Sequence, residues 1–290
     1  MKEFSIEPFL HAENNQKSIN TKEISELLVL RPEQLLKPHK ISFYAVNFYC
    51  EGRGKHSVDF NCIDVKEKHM LFLSQNQIAQ FHDPVSYKGR VLIFTEDFLC
   101  RNNIQTQFFG LTNLFNDPLK MPYVCVESRF EELLSLFNFI SEELSRPYSE
   151  LQTCILNNYL FNILLIADQL YKPQDHILDT HPYKLLVSKF KSFVSQKLSR
   201  QYTIQDITDH LNVSIRTLEK AFVEIEKSTP KKWMAERMVL EIKRNLACKE
   251  YNISEVAYSL GFNEVTNFTK FFKSNTGLTP SQFRENLGPV

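Results

Sequence analysis

The side chains best able to ligate a metal or carry redox chemistry are six cysteines and eight histidines. Cys50, Cys62, Cys100, Cys125, Cys154 and Cys248 include no C-x-x-C pair, so neither a zinc site nor a disulfide framework has its usual spacing. Their scatter predicts free thiols, mostly in the core, in a reducing cytoplasm. What remains is recognition by charge and hydrogen bonding. Overall the chain is neutral, with 34 basic and 34 acidic residues, but its halves differ. Residues 1–182 carry 17 Lys+Arg against 23 Asp+Glu, and residues 183–290 carry 17 against 11. A basic half of +6 beside an acidic half of −6 points to a polyanion such as nucleic acid as the partner of the second half.

The elements that must present those charges fall into two groups. At 290 residues the chain has room for two domains, and 43% hydrophobic with 23% charged residues is globular rather than disordered. The densest apolar stretch, Leu151–Leu170, is interrupted by Gln152, Asn157, Asn158, Asn162 and Asp168, so no membrane span is expected. Glu3, Glu7 and Pro8 stand where a signal peptide would carry an apolar block, which predicts an unexported, cytoplasmic protein. Ile41–Tyr49, Val58–Val65, His69–Ser74, Ile78–Phe81 and Val91–Phe94 read as short strands of an antiparallel sandwich or barrel. After Pro122 the apolar period lengthens to three and four residues, predicting helices at about 129–146 and 150–171. Tyr171–Pro182 has two prolines and no periodicity, so residues 173–182 read as a linker between a domain at 1–172 and a helical domain at 183–290.

Within the helical half a pattern occurs twice. Thr203-Ile-Gln-Asp206 is a capping box before Ile207 and Leu211; Asn212-Val213-Ser214 breaks the helix, and Ser214 can cap a second one holding Leu218 and Phe222. Forty-nine residues on, Asn252-Ile-Ser-Glu255 caps, Gly261-Phe262 turns, and Asn263 opens a helix holding Phe268 and Phe272. Thr229-Pro230 and Thr279-Pro280 then start a further helix in each copy. Two helices joined by a short turn form a helix-turn-helix unit, whose second helix enters a major groove. Between the copies, Met234, Met238, Ile242 and Leu246 predict one connecting helix, a rod suited to holding two recognition helices in successive grooves.

These residues resemble the DNA-binding domain of the AraC/XylS family of bacterial transcription regulators. The resemblance rests on Ile207 to Leu211, on Ser214-Ile-Arg-Thr-Leu-Glu-Lys-Ala-Phe222 and above all on Ile253-Ser-Glu-Val-Ala-Tyr-Ser-Leu-Gly-Phe262. It continues through Asn267-Phe-Thr-Lys-Phe-Phe272 to Gly277-Leu-Thr-Pro280 and Phe283-Arg284. Lys227 departs from the usual glycine, Lys220 and Lys270 from arginines, and Asn267 from an aromatic. The resemblance implies a DNA-contacting set of Ser214, Arg216, Thr217, Glu219 and Lys220 in the first copy, and Asn263, Val265, Thr266, Asn267 and Lys270 in the second. The side chains suit that role: Arg pairs with guanine, Glu accepts from cytosine, Thr meets a thymine methyl, and Lys meets phosphate or guanine.

The strand-rich half resembles the cupin-like effector domain that often precedes this unit, on Gly52-x-Gly54-x-His56, Asp59-Phe60, Leu71-Phe-Leu-Ser74, Leu92-Ile-Phe-Thr95 and Phe98. His39, His56, His69 and His82 never form the H-x-H pair of metal-binding cupins, so no metal, no cofactor and no enzymatic activity are expected. Phe43, Tyr44, Phe48 and His56 either wall a small-molecule pocket or are plain core. The helices at 129–171 either pair two copies into a homodimer or only cover the sheet. The expected fold is α+β in two domains, a cupin-like β-barrel with two following helices and an all-α domain of two helix-turn-helix units. The expected partners are double-stranded promoter or operator DNA, a small-molecule effector, a second copy, and RNA polymerase for an activator, with no membrane. Two rival readings are an enzyme using the barrel, disfavoured by the missing metal ligands, and an adaptor that binds protein through the repeat. The adaptor is disfavoured by the +6 balance of residues 183–290 and by Thr266, Asn267 and Lys270, where a protein interface would want apolar anchors.

Overall fold

A computed structural model describes residues 6–7, 18–171, 182–199, 201–247 and 251–287. The expected linker lies outside these residues except for Pro182, as does Cys248. The chain folds into two compact units, one within residues 5–179 and the other within residues 180–290.

In its described residues the first unit holds ten strands: β1 (Ile6–Glu7), β2 (Ile19–Glu23), β3 (His39–Ile41), β4 (Tyr44–Glu51), β5 (Gly54–Val58), β6 (Asn61–Val65), β7 (His69–Leu73), β8 (Ile78–Phe81), β9 (Lys88–Phe94) and β10 (Tyr123–Cys125). They form two five-stranded sheets, ordered β1-β3-β8-β5-β6 and β10-β7-β4-β9-β2. Every pairing is antiparallel except that of β1 with β3. Among the described residues no strand of one sheet is hydrogen-bonded to the other, so the cupin-like barrel is an open pair of sheets rather than a closed cylinder. The run expected as one strand at Ile41–Tyr49 breaks at Ser42–Phe43, where the chain passes from the first sheet to the second. Val58–Val65 is likewise two strands, joined by a hairpin in which Asp59 takes a left-handed φ of 54°.

β4 shows why the unit needs helices. Side chains alternate across a strand, so a strand buried on both faces must be covered twice. Ala45 and Tyr49 join the cluster shared by the inner faces of the two sheets, and Val46 and Phe48 join a second cluster on the outer face. That outer face is closed by α3 (Glu96–Leu99), α4 (Asn103–Leu111), α5 (Phe130–Ser145) and α6 (Glu150–Tyr171), while α1 (Ile24–Leu30) and α2 (Pro32–Leu35) pack beside the inner cluster. α5 buries Leu133, Phe137 and Ile140 at three- and four-residue steps. Of the polar residues that interrupt α6, Asn158 and Asn162 face solvent, while the buried ones are bonded: Asn157 Nδ2 donates to the Phe98 carbonyl at 2.5 Å, and Asp168 accepts from the Thr112 hydroxyl.

The second unit is wholly helical in its described residues: α7 (Pro182–Gln196), α8 (Ile204–His210), α9 (Ile215–Glu226), α10 (Pro230–Ala247), α11 (Ile253–Ser259), α12 (Val265–Thr276) and α13 (Pro280–Asn286). The 18 residues of α10 make a rod about 27 Å long at 1.5 Å per residue. Its apolar face carries Met238, Ile242 and Leu246 into the core of the second copy, against Val256, Phe262, Phe268 and Phe272. In the first copy Phe190 of α7 meets the rings of Phe222 and Trp233, with centroids 5.0 and 6.1 Å away. Lys191 pairs with Glu226 at 2.6 Å, nearly out of solvent, and ties α7 to α9.

The described cysteines are free thiols as expected but do not lie mostly in the core. Cys62, Cys125 and Cys154 are exposed, and Cys50 and Cys100 are half-buried. Cys62 and Cys125 stand on β6 and β10, each at one edge of its sheet, and burial raises the Cys50 and Cys100 thiols to about 11.

Candidate nucleic-acid interface

The two copies repeat in backbone detail, which is what places their recognition helices alike. Thr203 and Asn252 each close a capping box, with Asp206 and Glu255 as the returning acids. Val213 N–H then donates to the Thr208 carbonyl and Phe262 N–H to the Ala257 carbonyl, both at 3.0 Å. Each turn contains one left-handed residue, Asn212 (φ 54°) in the first copy and Gly261 (φ 80°) in the second. Each recognition helix ends on another, Lys227 (φ 51°) and Gly277 (φ 79°). Thr229 and Thr279 accept from the backbone three residues on, behind Pro230 and Pro280.

On α9, Leu218, Ala221 and Phe222 are buried, which turns Arg216, Glu219 and Lys220 outward. Ser214 is exposed but already engaged: its hydroxyl accepts from Thr217 N–H at 3.1 Å and lies 2.8 Å from the Thr217 hydroxyl, and Thr217 is half-buried. On α12, Phe268 and Phe272 are buried and Thr266, Asn267 and Lys270 are exposed. Val265 is half-buried against the core of its copy. Asn263 does not open the helix. Glu264 is the residue before it and makes no side-chain cap, because the extended turn places Asn263 one position too early; Glu264 instead accepts from Asn267 Nδ2 at 3.5 Å.

The charges sort by face. Among the described residues Arg216, Glu219, Lys220 and Lys270 form no ion pair, whereas the charges turned inward are paired. Lys191 holds Glu226, and Arg237 and Arg244 both reach Glu241, at 2.9 and 3.5 Å. A surface that leaves cations out of ion pairs and polar groups exposed on two matched helices can engage phosphates and base edges. One residue missed by the sequence reading belongs to that face. Val223 is 56% exposed and lies three and four residues beyond Lys220 and Glu219, at helical spacing that marks it as their neighbour.

The four residues expected to wall a pocket do not act together. Phe43 and His56 line a cavity of about 520 Å³ between the two sheets. Tyr44 and Phe48 stand on the opposite face of β4, where Tyr44 packs on Phe94, Phe109 and Phe115 and Phe48 on Phe130 and Phe137. The period of two decides this: residues of odd number in β4 face the cavity and those of even number face the helices. His56 Nδ1 lies 2.9 Å from the Tyr49 hydroxyl, and burial, helped by His39 and His82, lowers its pKa to about 3. The imidazole is therefore neutral. Asn47, which also lines the cavity, was missed; a polar residue in the inward phase of an otherwise apolar strand was the available signal. Among the described residues no three His, Cys, Asp or Glu side chains gather as metal ligands, and no helix is long and apolar enough to cross a membrane.

A family model described as a helix-turn-helix domain matches residues 207–286. The Msm operon regulatory protein of Streptococcus mutans is 22% identical over 252 residues, 84% of each chain. Regulatory protein PocR of Salmonella typhimurium is 22% identical over 284 residues, covering 93% of this chain and 87% of its own. A solved structure of ToxT from Vibrio cholerae aligns over 94% of this chain and all of its own, with 16% identity and a TM-score of 0.45.

Proposed function

We propose that the chain is a transcription regulator of the AraC/XylS type that reads operator DNA with α9 and α12 in two successive major grooves. The helix-turn-helix match over residues 207–286 and the regulators it is similar to support this reading. It is a DNA-binding transcription regulator with two helix-turn-helix units. The observation that carries the finer reading is the backbone-level match of the two copies, each presenting an exposed polar face. In this reading Arg216 and Glu219 meet base edges, Lys220 and Lys270 meet phosphate or guanine, and Thr266 and Asn267 read bases in the second groove. Ser214 and Thr217 hold the start of α9 and Val265 seats the start of α12 on its core, while exposed Asn263 just before α12 is a further DNA-contacting group. The linker at 173–182 joins this unit to an effector domain at 1–172, whose inter-sheet cavity takes a small molecule. The chain performs no chemical step in the cytoplasm: effector binding shifts a population of DNA-competent states, and an activator form engages RNA polymerase.

A homodimer through α5 and α6 completes the reading. Phe139, Ile155 and Leu165 are 45%, 37% and 38% exposed on those helices, and the Phe139 ring packs tilted against Tyr159 with centroids 5.6 Å apart. The test is selection of genomic DNA fragments by the full-length protein, followed by titration of the best fragment. Enrichment of one motif with two half-sites about 10 bp apart is the expected result. Unselective binding both with and without added cell metabolites overturns it.

A further inference from the structure

Among the described residues, three that line the inter-sheet cavity carry a buried polar atom without a partner: Thr21, Asn47 and His56. Thr21 shares the strand phase of Ile19, which joins the outer cluster, and leaves Asn47 and His56 as the two on the inner phase. Asn47 is 2% exposed and His56 is fully buried, and neither Asn47 Nδ2 nor His56 Nε2 makes a hydrogen bond. Leaving such a group unmet is costly, and native folds do so rarely, so two of them lining one cavity call for a reason. They come from opposite sheets. Asn47 belongs to β4 and His56 to β5, and the hydroxyl of Tyr49, two residues beyond Asn47 on the same face, reaches His56 Nδ1 at 2.9 Å. With that hydroxyl donating, the proton of the neutral imidazole sits on Nε2. Both unmet groups are then donors, and both border the same space.

The remaining wall decides what those donors meet. Ile41, Phe43, Leu73, Phe81 and Ile93 make it chiefly hydrocarbon, and no Asp or Glu lines it. A sugar would bring several hydroxyls, each needing a partner that these side chains do not supply. A buried carboxylate would need a cation beside it, whereas Asn47 and the imidazole are uncharged. Lys22 and Arg31 line the cavity too, but both are half-exposed. Lys22 stands two strands from Asn47 in register, and Arg31 sits between α1 and α2 rather than on either sheet, so neither is a buried partner to the two donors. We propose that the cavity binds an uncharged, mainly hydrocarbon molecule through a single carbonyl oxygen held between Asn47 Nδ2 and His56 Nε2. This rests on the reading of the first unit as an effector domain and names the chemistry of its ligand. The volume of about 520 Å³ suits a bicyclic aromatic ketone or a medium-chain one.

Calorimetric titration of the full-length chain with four probes tests it: acetonaphthone, the hydrocarbon ethylnaphthalene, the carboxylate naphthoate, and raffinose. Acetonaphthone is expected to bind one per chain, at least tenfold more tightly than ethylnaphthalene or naphthoate, with no heat from raffinose. Asn47→Leu is expected to abolish the tenfold preference for the ketone over the hydrocarbon while leaving hydrocarbon affinity unchanged. Its ligand-free thermal midpoint is expected to stay level or rise, because an unmet amide has been replaced by an apolar group of similar size. His56→Phe serves as the second variant and is expected to lose the same preference. Equal affinity for ketone and hydrocarbon, tighter binding of naphthoate, binding of raffinose, or a preference that survives both substitutions overturns the proposal. DNA binding measured on the same preparations separates the two readings. Selective DNA binding without ketone binding overturns the cavity assignment alone, and unselective DNA binding overturns the operator reading alone.

Discussion

Arg216 and Lys220 lie one turn apart on α9, yet their chemistry predicts different losses. An arginine bidentate to guanine contributes to one sequence only, so Arg216→Ala is expected to cost about 1–3 kcal/mol on the selected operator and little on scrambled DNA. A lysine on phosphate contributes to every sequence, so Lys220→Ala is expected to weaken both and to lower the slope of log affinity against log salt by about 1. Fluorescence anisotropy on the two DNAs decides between them, and equal losses for Arg216→Ala would rule out base reading. His56 gives a pH prediction. Its pKa falls from 6.5 to about 3 on folding, chiefly through burial, so below 6.5 the unfolded chain binds the extra proton and stability drops as pH falls. Between about pH 6 and pH 3.5 the wild type is expected to lose up to about 1.4 kcal/mol per pH unit more than His56→Phe, as read by urea unfolding at each pH. Parallel pH profiles for the two proteins would refute the buried neutral imidazole. The outward residues of α9 were legible from helical spacing and a motif. Tyr44 and Phe48 were not, because the face a strand residue takes depends on where the strand starts, and the break at Ser42–Phe43 leaves no mark in hydropathy.

At the scale of elements the helical half was readable and the sheets were read only in part. Caps, turns and a 3.6-residue period are local signals, and all three recur in both copies. Strand pairing is decided by distant partners. β2, with sequence Ile19-Asn-Thr-Lys-Glu23, shows no clear alternation, and its place beside β9 comes from seven-residue β9 offering it an edge. The repeat itself yields a stability prediction. Glycine meets the left-handed φ at Gly277, while Lys227 pays for the same conformation with a Cβ clash. Lys227→Gly is expected to stabilise the chain by about 0.5–1 kcal/mol, offset in part by the lost hydrogen bond from Lys227 Nζ to the Glu224 carbonyl. Thermal unfolding measures it, and a fall in midpoint would show that the bond outweighs the strain. The link from α7 to α9 is predicted to behave in the opposite way. Lys191→Met leaves the Glu226 carboxylate with little solvent and is expected to cost about 3–5 kcal/mol, much of it recovered in the double variant Lys191→Met with Glu226→Gln. Additive losses in that cycle would mean the pair contributes little coupling.

For the whole molecule, the acidic and basic halves cancel to zero net charge, so attraction to DNA must arise from the arrangement of charge in residues 183–290 rather than from its total. Binding should then be steeply salt-dependent despite the neutral chain: with six to ten phosphates met, affinity falls by about 10³–10⁵ between 50 and 200 mM salt. The proposed regulation adds a constraint that needs no knowledge of how the units are disposed. If an uncharged ketone in the inter-sheet cavity changes operator affinity by some factor, operator DNA must change ketone affinity by the same factor, because both are legs of one thermodynamic cycle. A coupling in the usual range of roughly 5–150-fold is measurable from either side. Titrating DNA at saturating acetonaphthone, and acetonaphthone at saturating operator, is expected to give matching factors in the wild type. Asn47→Leu is expected to weaken the ketone leg while leaving ligand-free operator affinity unchanged, since Asn47 lies in the other unit from α9 and α12. A factor of one on both legs, with both ligands bound, would separate the cavity from regulation and leave it a binding site without a role in DNA recognition.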